Sequence, residues 1–255
     1  VPDAALNREL PHKMQLYIIR HAQSQNNALY VETGSYVGRS EDPNLTLIGR
    51  EQARRLARHL SQSAVDRALP LPDWNPQDIA GFGITHLYCS LMARAIETGT
   101  IVARELGLPL VAWEDLHEAG GIVDRDDETG ERTGLPGQNR AYFEAYYPDL
   151  LLPESLGEGG WWNRPFEERP LRSVRARRVV RDLLDQHGET DDHVAVITHG
   201  AFYSYLMHAI FDIPDDPPLW FFLENTAITR ISYMEEAAAL VYANNTRHLP
   251  PELVT

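Results

Sequence analysis

The run Leu16-Tyr17-Ile18-Ile19 is continuously apolar and rich in β-branched and aromatic side chains. It predicts a strand buried on both faces, as in a parallel sheet. Similar short runs recur at Thr85–Cys89, Leu110–Trp113 and Val194–Thr198. Two more, Ala227–Tyr233 and Ala238–Asn244, flank a charged turn and predict a closing pair of strands. Between these runs the period changes. Ala53, Leu56, Ala57 and Leu60 fall at i, i+3, i+4 and i+7, while Arg50, Glu51, Arg54 and Arg58 take the other faces. That is an amphipathic helix, with Thr46 as its N-cap. A second helix is predicted over Ala93–Leu106, ended by Gly107 with Pro109 beyond. Two further helices are predicted over Arg172–His187, ended by Gly188, and over Phe202–Phe211. Strands that alternate with helices define an α/β class. The expected architecture is a three-layer α/β/α sandwich around a mainly parallel sheet of about six strands.

The remaining stretches read as connections. A loop is expected from the end of the first strand to Asn44, with turn residues Gly34, Gly38 and Pro43. Residues 66–83 are rich in Pro and Gly and read as another loop. Residues 118–170 hold three Gly-Gly or Pro-Gly pairs and the doublet Trp161-Trp162, with one helix near Gln138–Tyr147. They read as a lid-like insertion in a single domain spanning 1–255, and no internal repeat interrupts it.

Charge narrows the partners. The 255 residues include 37 acidic and 23 basic side chains, a formal net charge of −14. A field of that sign disfavours nucleic acid and anionic membrane surfaces. An anionic substrate then requires a local cationic pocket. One cysteine, Cys89, excludes an internal disulfide framework and a cysteine-based zinc cage, and it reads as a small buried residue. The ten histidines show no His-Glu-x-x-His spacing. The acidic run Asp124–Glu128 departs from the order of a calcium loop, with Leu135 where a carboxylate is needed. No metal site is therefore expected. Residues 1–13 contain no apolar run of signal length, and no stretch reaches the roughly twenty apolar residues of a membrane span. The reading expects a cytoplasmic protein and leaves the nature of residues 1–13 and the oligomeric state open.

The candidate chemistry collects where strands end. Arg20-His21 follows the first strand. Cys89-Ser90 ends the second, with Arg94 at the opening of the next helix. Glu118 stands a few residues beyond the third, and His199-Gly200 follows the fourth. The carboxyl ends of parallel strands share one edge, and ligands bind there. Two arginines, two histidines and a glutamate would converge on one crevice. Guanidiniums are planar forks suited to phosphate oxygens. A neutral imidazole is a competent nucleophile, and cationic neighbours keep it neutral. Phosphoryl transfer needs a nucleophile, charge neutralisation and a proton for the leaving oxygen, and this set supplies all three. Taken alone, each residue has a blander reading: a strand-end histidine, a solvated helix arginine, an exposed loop carboxylate. The basic run Arg172, Arg175, Arg177, Arg178 and Arg181 reads as a solvated helix face. Trp161-Trp162 reads equally as substrate-facing aromatics or as loop packing.

Together these segments resemble the histidine phosphatase superfamily of phosphoglycerate mutase-like proteins. The resemblance rests on Ile19-Arg20-His21-Ala22-Gln23-Ser24-Gln25-Asn26-Asn27, Asn44-Leu45-Thr46, Tyr88 to Ala95, Leu116-His117-Glu118, Thr198-His199-Gly200 and Asn225 to Thr229. It implies that His21 is the phosphorylated nucleophile. Arg20, Arg94 and His199 would hold the phosphoryl group, with Ser24, Asn27 and Gly200 assisting, and Glu118 would serve as acid and then base. The implied activity is hydrolysis of a small phosphorylated substrate through phosphohistidine, with no cofactor and no metal. An alternative in the same family is a phosphoglycerate mutase, which would need a 2,3-bisphosphoglycerate primer. Such mutases carry an Arg-Arg-Ser-Tyr-Asp-like stretch in the insertion. Here it reads Thr129-Gly130-Glu131-Arg132-Thr133-Gly134-Leu135-Pro136, which favours the hydrolase. A catalytically silent phospholigand-binding protein is disfavoured because His21 and Glu118 are both present. Ala22 replaces the family's usual glycine, Cys89 one of two common serines, and Leu91 a common proline.

Overall fold

The structure is a computed structural model that describes residues 12–62, 75, 77–126, 128–215, 219–235 and 237–255. Residues 1–11 of the open stretch 1–13, and residues 66–74 and 76 of the expected loop over 66–83, lie outside the described residues. The central sheet has seven strands: β1 His12–Arg20, β2 His86–Cys89, β3 Leu110–Ala112, β6 Leu150–Leu151, β7 His193–Thr198, β8 Ile228–Met234 and β9 Ala238–Asn245. Their spatial order is β6-β3-β2-β7-β1-β8-β9. The first five in that order run parallel, and β8 and β9 close the sheet antiparallel. A separate hairpin pairs β4 Val123–Arg125 with β5 Arg132–Gly134.

Helices cover both faces. They are α1 Gln25–Thr33, α2 Leu47–Ser61, α3 Ala93–Leu106, α4 Arg140–Tyr146, α5 Arg169–His187 and α6 Gly200–Ile210. The alternation of side chains along β1 divides the core. Tyr17 and Ile19 pack with Leu56 and Leu60 of α2 and with Ala95, Ile96 and Val102 of α3. Leu16 and Ile18 pack on the other face with Val179 and Leu183 of α5 and Phe202 and Leu206 of α6. The unbroken apolar run of the first strand therefore reflects burial on both sides. Each fully buried aliphatic side chain of this kind contributes about 1.5–3 kcal/mol. Thr46 caps α2 by accepting from Gly49 N at 2.9 Å, and Gly107 ends α3 in the left-handed region at φ 67°.

Three expectations are corrected or refined. The stretch after His21 is not all loop, because α1 occupies nine of its residues. Its sequence, QNNALYVET, lacks an apolar stripe and mixes in β-branched residues. A cap makes the helix instead: Ser24 Oγ accepts from Asn27 N, and Asn27 Oδ1 accepts from Ser24 N. Second, the sheet has seven strands because the two residues of β6, inside the insertion, add an edge beside β3. Third, the basic helix starts at Arg169, with Pro170 in its first turn, and does not present all its arginines to water. Arg175 is 3% exposed.

Candidate active site

Register explains why distant residues meet. β1 and β7 are parallel neighbours with Arg20 opposite Thr198. The residues that follow, His21 and His199, therefore emerge side by side, with ring centroids 5.0 Å apart. Cys89 pairs with Ile197, which places the turn into α3, and hence Arg94, at the same edge. Arg94 Nε donates to His21 Nε2 at 3.1 Å. His21 Nδ1 lies 2.7 Å from the carbonyl of Ala22. A carbonyl only accepts, so Nδ1 carries the proton and Nε2 presents its lone pair. Burial, then Arg94 and Arg20, hold the His21 pKa well below its ordinary value. Burial, then Arg94 and His21, do the same at His199. Both rings are neutral near pH 7.

Two of the side chains with buried nitrogens that lack a hydrogen-bond partner among the described residues stand at this edge: Arg20 at Nε and His199 at both ring nitrogens. Arg20 Nη1 is fixed to the carbonyl of Leu223 at 2.8 Å. Buried polar atoms left unsatisfied are costly and cluster where a ligand completes them. Gly200 opens the space beside them. A Cβ there would stand 3.4 Å from Arg20 Nε.

Glu118 belongs to the same edge. Its Oε1 accepts from Ala119 N at 2.7 Å and Phe202 N at 3.0 Å, and its Oε2 from Ala201 N at 3.3 Å. The carboxyl therefore sits on the N-terminal turn of α6, where free N–H groups point outward. The loop that carries it is clamped from behind. Arg175 donates to both oxygens of Glu167, at 2.7 and 2.8 Å, and to the carbonyls of Asp115 and His117, at 2.6 and 2.9 Å. Its guanidinium also lies 3.7 Å above the Phe202 ring. Glu167 in turn accepts from Gly120 N at 3.3 Å. Residues on either side of Glu118 are thus tied to one buried ion pair.

The other expected site residues divide. Ser24 is buried and Asn27 half-buried, but Ser24 Oγ and Asn27 Oδ1 serve the α1 cap, and Asn27 Oδ1 also receives Asn225 Nδ2 at 3.4 Å. Cys89 is fully buried, and burial pushes its thiol far up. Trp161 and Trp162 are loop packing: Trp162 lies edge-on to His117 at 4.7 Å and fills the space a Cβ on Gly121 would take.

Several residues to which the sequence reading gave no role also belong here. Asp42 accepts from Ala93 N at 3.0 Å and lies 3.6 Å from Arg94 Nη1. Burial pushes it up to about 6, against the pull of Arg94. Asn225 Nδ2 donates to the His21 carbonyl at 2.9 Å. Thr98 Oγ1 accepts from Ala22 N and donates to the Arg94 carbonyl. The site opens into a cleft of about 650 Å³ whose walls include Arg39, Arg125, Arg132, Arg172 and Phe166. Arg132 and Arg172 flank the Phe166 ring at 4.6 and 5.3 Å. None of these four arginines pairs with a carboxylate among the described residues. Arg39 lies on a loop, Arg125 and Arg132 on the short hairpin β4–β5 and Arg172 in the first turn of α5, and no apolar period singles them out.

The comparisons with known proteins agree with this geometry. A profile of the histidine phosphatase superfamily (branch 1) matches residues 16–70 and 75–246. The chain belongs to that superfamily, and it is an enzyme of the phosphatase and mutase type. A relative from Hydrogenobacter thermophilus named "Putative phosphoserine phosphatase 2" is 27% identical over 243 residues, 92% of this chain and 97% of that protein. A 2,3-bisphosphoglycerate-dependent phosphoglycerate mutase of Caulobacter vibrioides is 26% identical over 219 residues, 79% of this chain and 81% of its own. Among solved structures, phosphoserine phosphatase of Entamoeba histolytica in complex with 3-phosphoglyceric acid superposes with a TM-score of 0.58 at 20% identity, covering 93% of this chain and 100% of that one. The mycobacterial glucosyl-3-phosphoglycerate phosphatase gives a TM-score of 0.57 at 19% identity, over 92% and 99%. These structures share the fold. No helix among the described residues is long and apolar enough to cross a membrane.

Proposed function

We propose that this enzyme, read as one domain with 118–170 as a lid, hydrolyses a small phosphomonoester through a phosphohistidine, without a metal ion in the reaction. The observation that carries this reading is the lone pair of His21 Nε2, fixed by the Nδ1 bond to Ala22 and facing Arg94. In the first step Arg94 Nε turns from His21 Nε2 to a phosphoryl oxygen, and the freed Nε2 lone pair bonds to phosphorus as the ester P–O bond breaks. Arg20, Arg94 and His199 hold the non-bridging oxygens, satisfying the unpartnered nitrogens of Arg20 and His199. Glu118 gives its proton to the leaving oxygen. Its Oε2, held by one long bond, is the freer of its two oxygens for that proton. In the second step water attacks phosphorus, the N–P bond breaks, and Glu118 takes the water's proton. Phosphate leaves and both side chains return to their starting states.

The arginines of the cleft support a finer statement: the part of the substrate beyond the transferred phosphoryl group is itself anionic, bearing a carboxylate or a second phosphate. A screen for phosphate release tests both levels, with p-nitrophenyl phosphate as the neutral-remainder reference. Anionic phosphomonoesters are expected to exceed the reference in kcat/KM by about 10- to 100-fold, the worth of one or two charge-assisted hydrogen bonds. A preference for neutral alcohols would remove the finer reading, and a requirement for added metal the coarser one. With 3-phosphoglycerate and a bisphosphorylated primer, free phosphate indicates the hydrolase and 2-phosphoglycerate the mutase. The pH profile follows from His21. An imidazole held below its ordinary value stays unprotonated as the pH falls through 6.5. The acid limb of kcat/KM that reports His21 is therefore expected below that value, and a half-loss of activity at 6.5 would argue against His21 as nucleophile.

A further inference from the structure

The amino ends of the parallel strands, at the sheet edge opposite the cleft, carry a second convergence of polar side chains. His86 is the first residue of β2, His187 the last of α5, and Asp192 immediately precedes β7. β2 and β7 are neighbours with His86 opposite Val194, so the pairing of the sheet brings residues from far apart in the chain together. One donor atom from each lies within 4.8 Å of the others. Asp192 offers a different oxygen to each ring: Oδ2 lies 2.8 Å from His187 Nδ1, and Oδ1 lies 3.5 Å from His86 Nδ1. In a tetrahedral zinc site with bonds near 2.0–2.1 Å, neighbouring donors stand about 3.3 Å apart. The two Asp192–imidazole separations fall on either side of that spacing, and the shorter is a hydrogen bond that a cation would replace.

The surroundings have the form of an outer shell. His187 Nε2 lies 3.0 Å from the hydroxyl of Tyr88. When Nδ1 gives its lone pair to a cation, the ring proton sits on Nε2 and is donated to that hydroxyl, which fixes ring orientation and tautomer together. The His187 side chain is 6% exposed and Asp192 21%, whereas His86 is 42% exposed. Two donors are thus held by the fold, and the third, with a remaining coordination position, faces water. The Thr85 hydroxyl, 2.9 Å from His86 Nδ1, is the group a cation would displace. Two imidazoles and one carboxylate suit Zn²⁺ and similar divalent ions and are a poor match for Mg²⁺ or Ca²⁺. Spacing along the chain hid the site, because His86 stands far from the other two.

We propose that His86, His187 and Asp192 bind one divalent transition cation, Zn²⁺ foremost, at the sheet edge remote from the phosphoryl site. The proposal is independent of the phosphatase reading, and its test uses no turnover. The full chain, stripped with a chelator, is titrated with Zn²⁺ by calorimetry and with Co²⁺ by visible absorption. The expected result is one equivalent of Zn²⁺, a rise in Tm with added Zn²⁺, and the intense visible band of four-coordinate Co²⁺. His86→Ala removes only a half-exposed ring, and its folding is checked by circular dichroism. It is expected to weaken Zn²⁺ binding by tenfold or more (about the loss of one ligand) and to abolish the Tm rise. Asp192→Asn is the second variant, expected to act in the same direction. Equal stoichiometry and affinity in wild type and both variants would assign the binding to other histidines and overturn the proposal. So would the absence of binding in the wild type.

Discussion

His21→Ala is expected to lower turnover of an aryl phosphate by about 10⁴-fold or more, the loss seen when a covalent nucleophile is removed from a set that acts together. The same variant should trap no acid-labile phosphoenzyme after a rapid quench, whereas the wild type should. The size follows from the arrangement around the ring. Arg94 Nε, at 3.1 Å, and the Ala22 carbonyl, at 2.7 Å, leave His21 one tautomer and one orientation. The guanidiniums and His199 remain in the variant, so binding of inorganic phosphate should survive at reduced strength. Measuring that binding separates loss of the nucleophile from loss of the pocket. Full activity in the variant would end the phosphohistidine mechanism.

Glu118→Gln is expected to cost about 10² to 10⁴ in kcat for an alkyl phosphate, the range of a positioned general acid. Its cost for p-nitrophenyl phosphate should be far smaller, because that leaving group needs no proton. Glutamine keeps the shape of the carboxyl, and its carbonyl oxygen can still accept from Ala119 and Phe202, losing only the long bond from Ala201 N. Folding should therefore be preserved while the proton is lost. The decisive measurement is the slope of log kcat against leaving-group pKa, which should be steep in the variant and shallow in the wild type. Equal losses across the series would move the acid's role away from Glu118, with Asp42, 3.6 Å from Arg94 Nη1, as the next carboxyl to vary.

Much of this site was legible because parallel sheets convert sequence order into spatial convergence. An apolar strand followed by a polar pair places that pair at the carboxyl edge, and the rule holds for Arg20-His21 and His199-Gly200. Arg94 follows from a helix that starts at the same edge. What was hidden depends on interactions without a period. Helix α1 is set by the Ser24–Asn27 cap rather than by an apolar stripe. Arg175 shares its helix with Arg172, Arg177, Arg178 and Arg181, and nothing in the spacing distinguishes the one that turns inward to Glu167. Asp42 and Arg39 lie on loops whose course is decided by tertiary contacts, and Arg125, Arg132 and Arg172 sit on a short hairpin and a helix start that no spacing marks as cleft wall. The trio of His86, His187 and Asp192 was missed for a related reason, since a ligand search along the chain looks for close spacing and the sheet supplies closeness instead.

The clamp formed by Arg175 and Glu167 also divides the site between different parts of the chain. His21 and Arg94 are set by β1, β2, β7 and α3. Glu118 is set instead by α5 behind it, through Arg175, and by the first turn of α6 in front of it. Loosening α5 would therefore disturb the carboxyl while the imidazole and guanidinium stay in register.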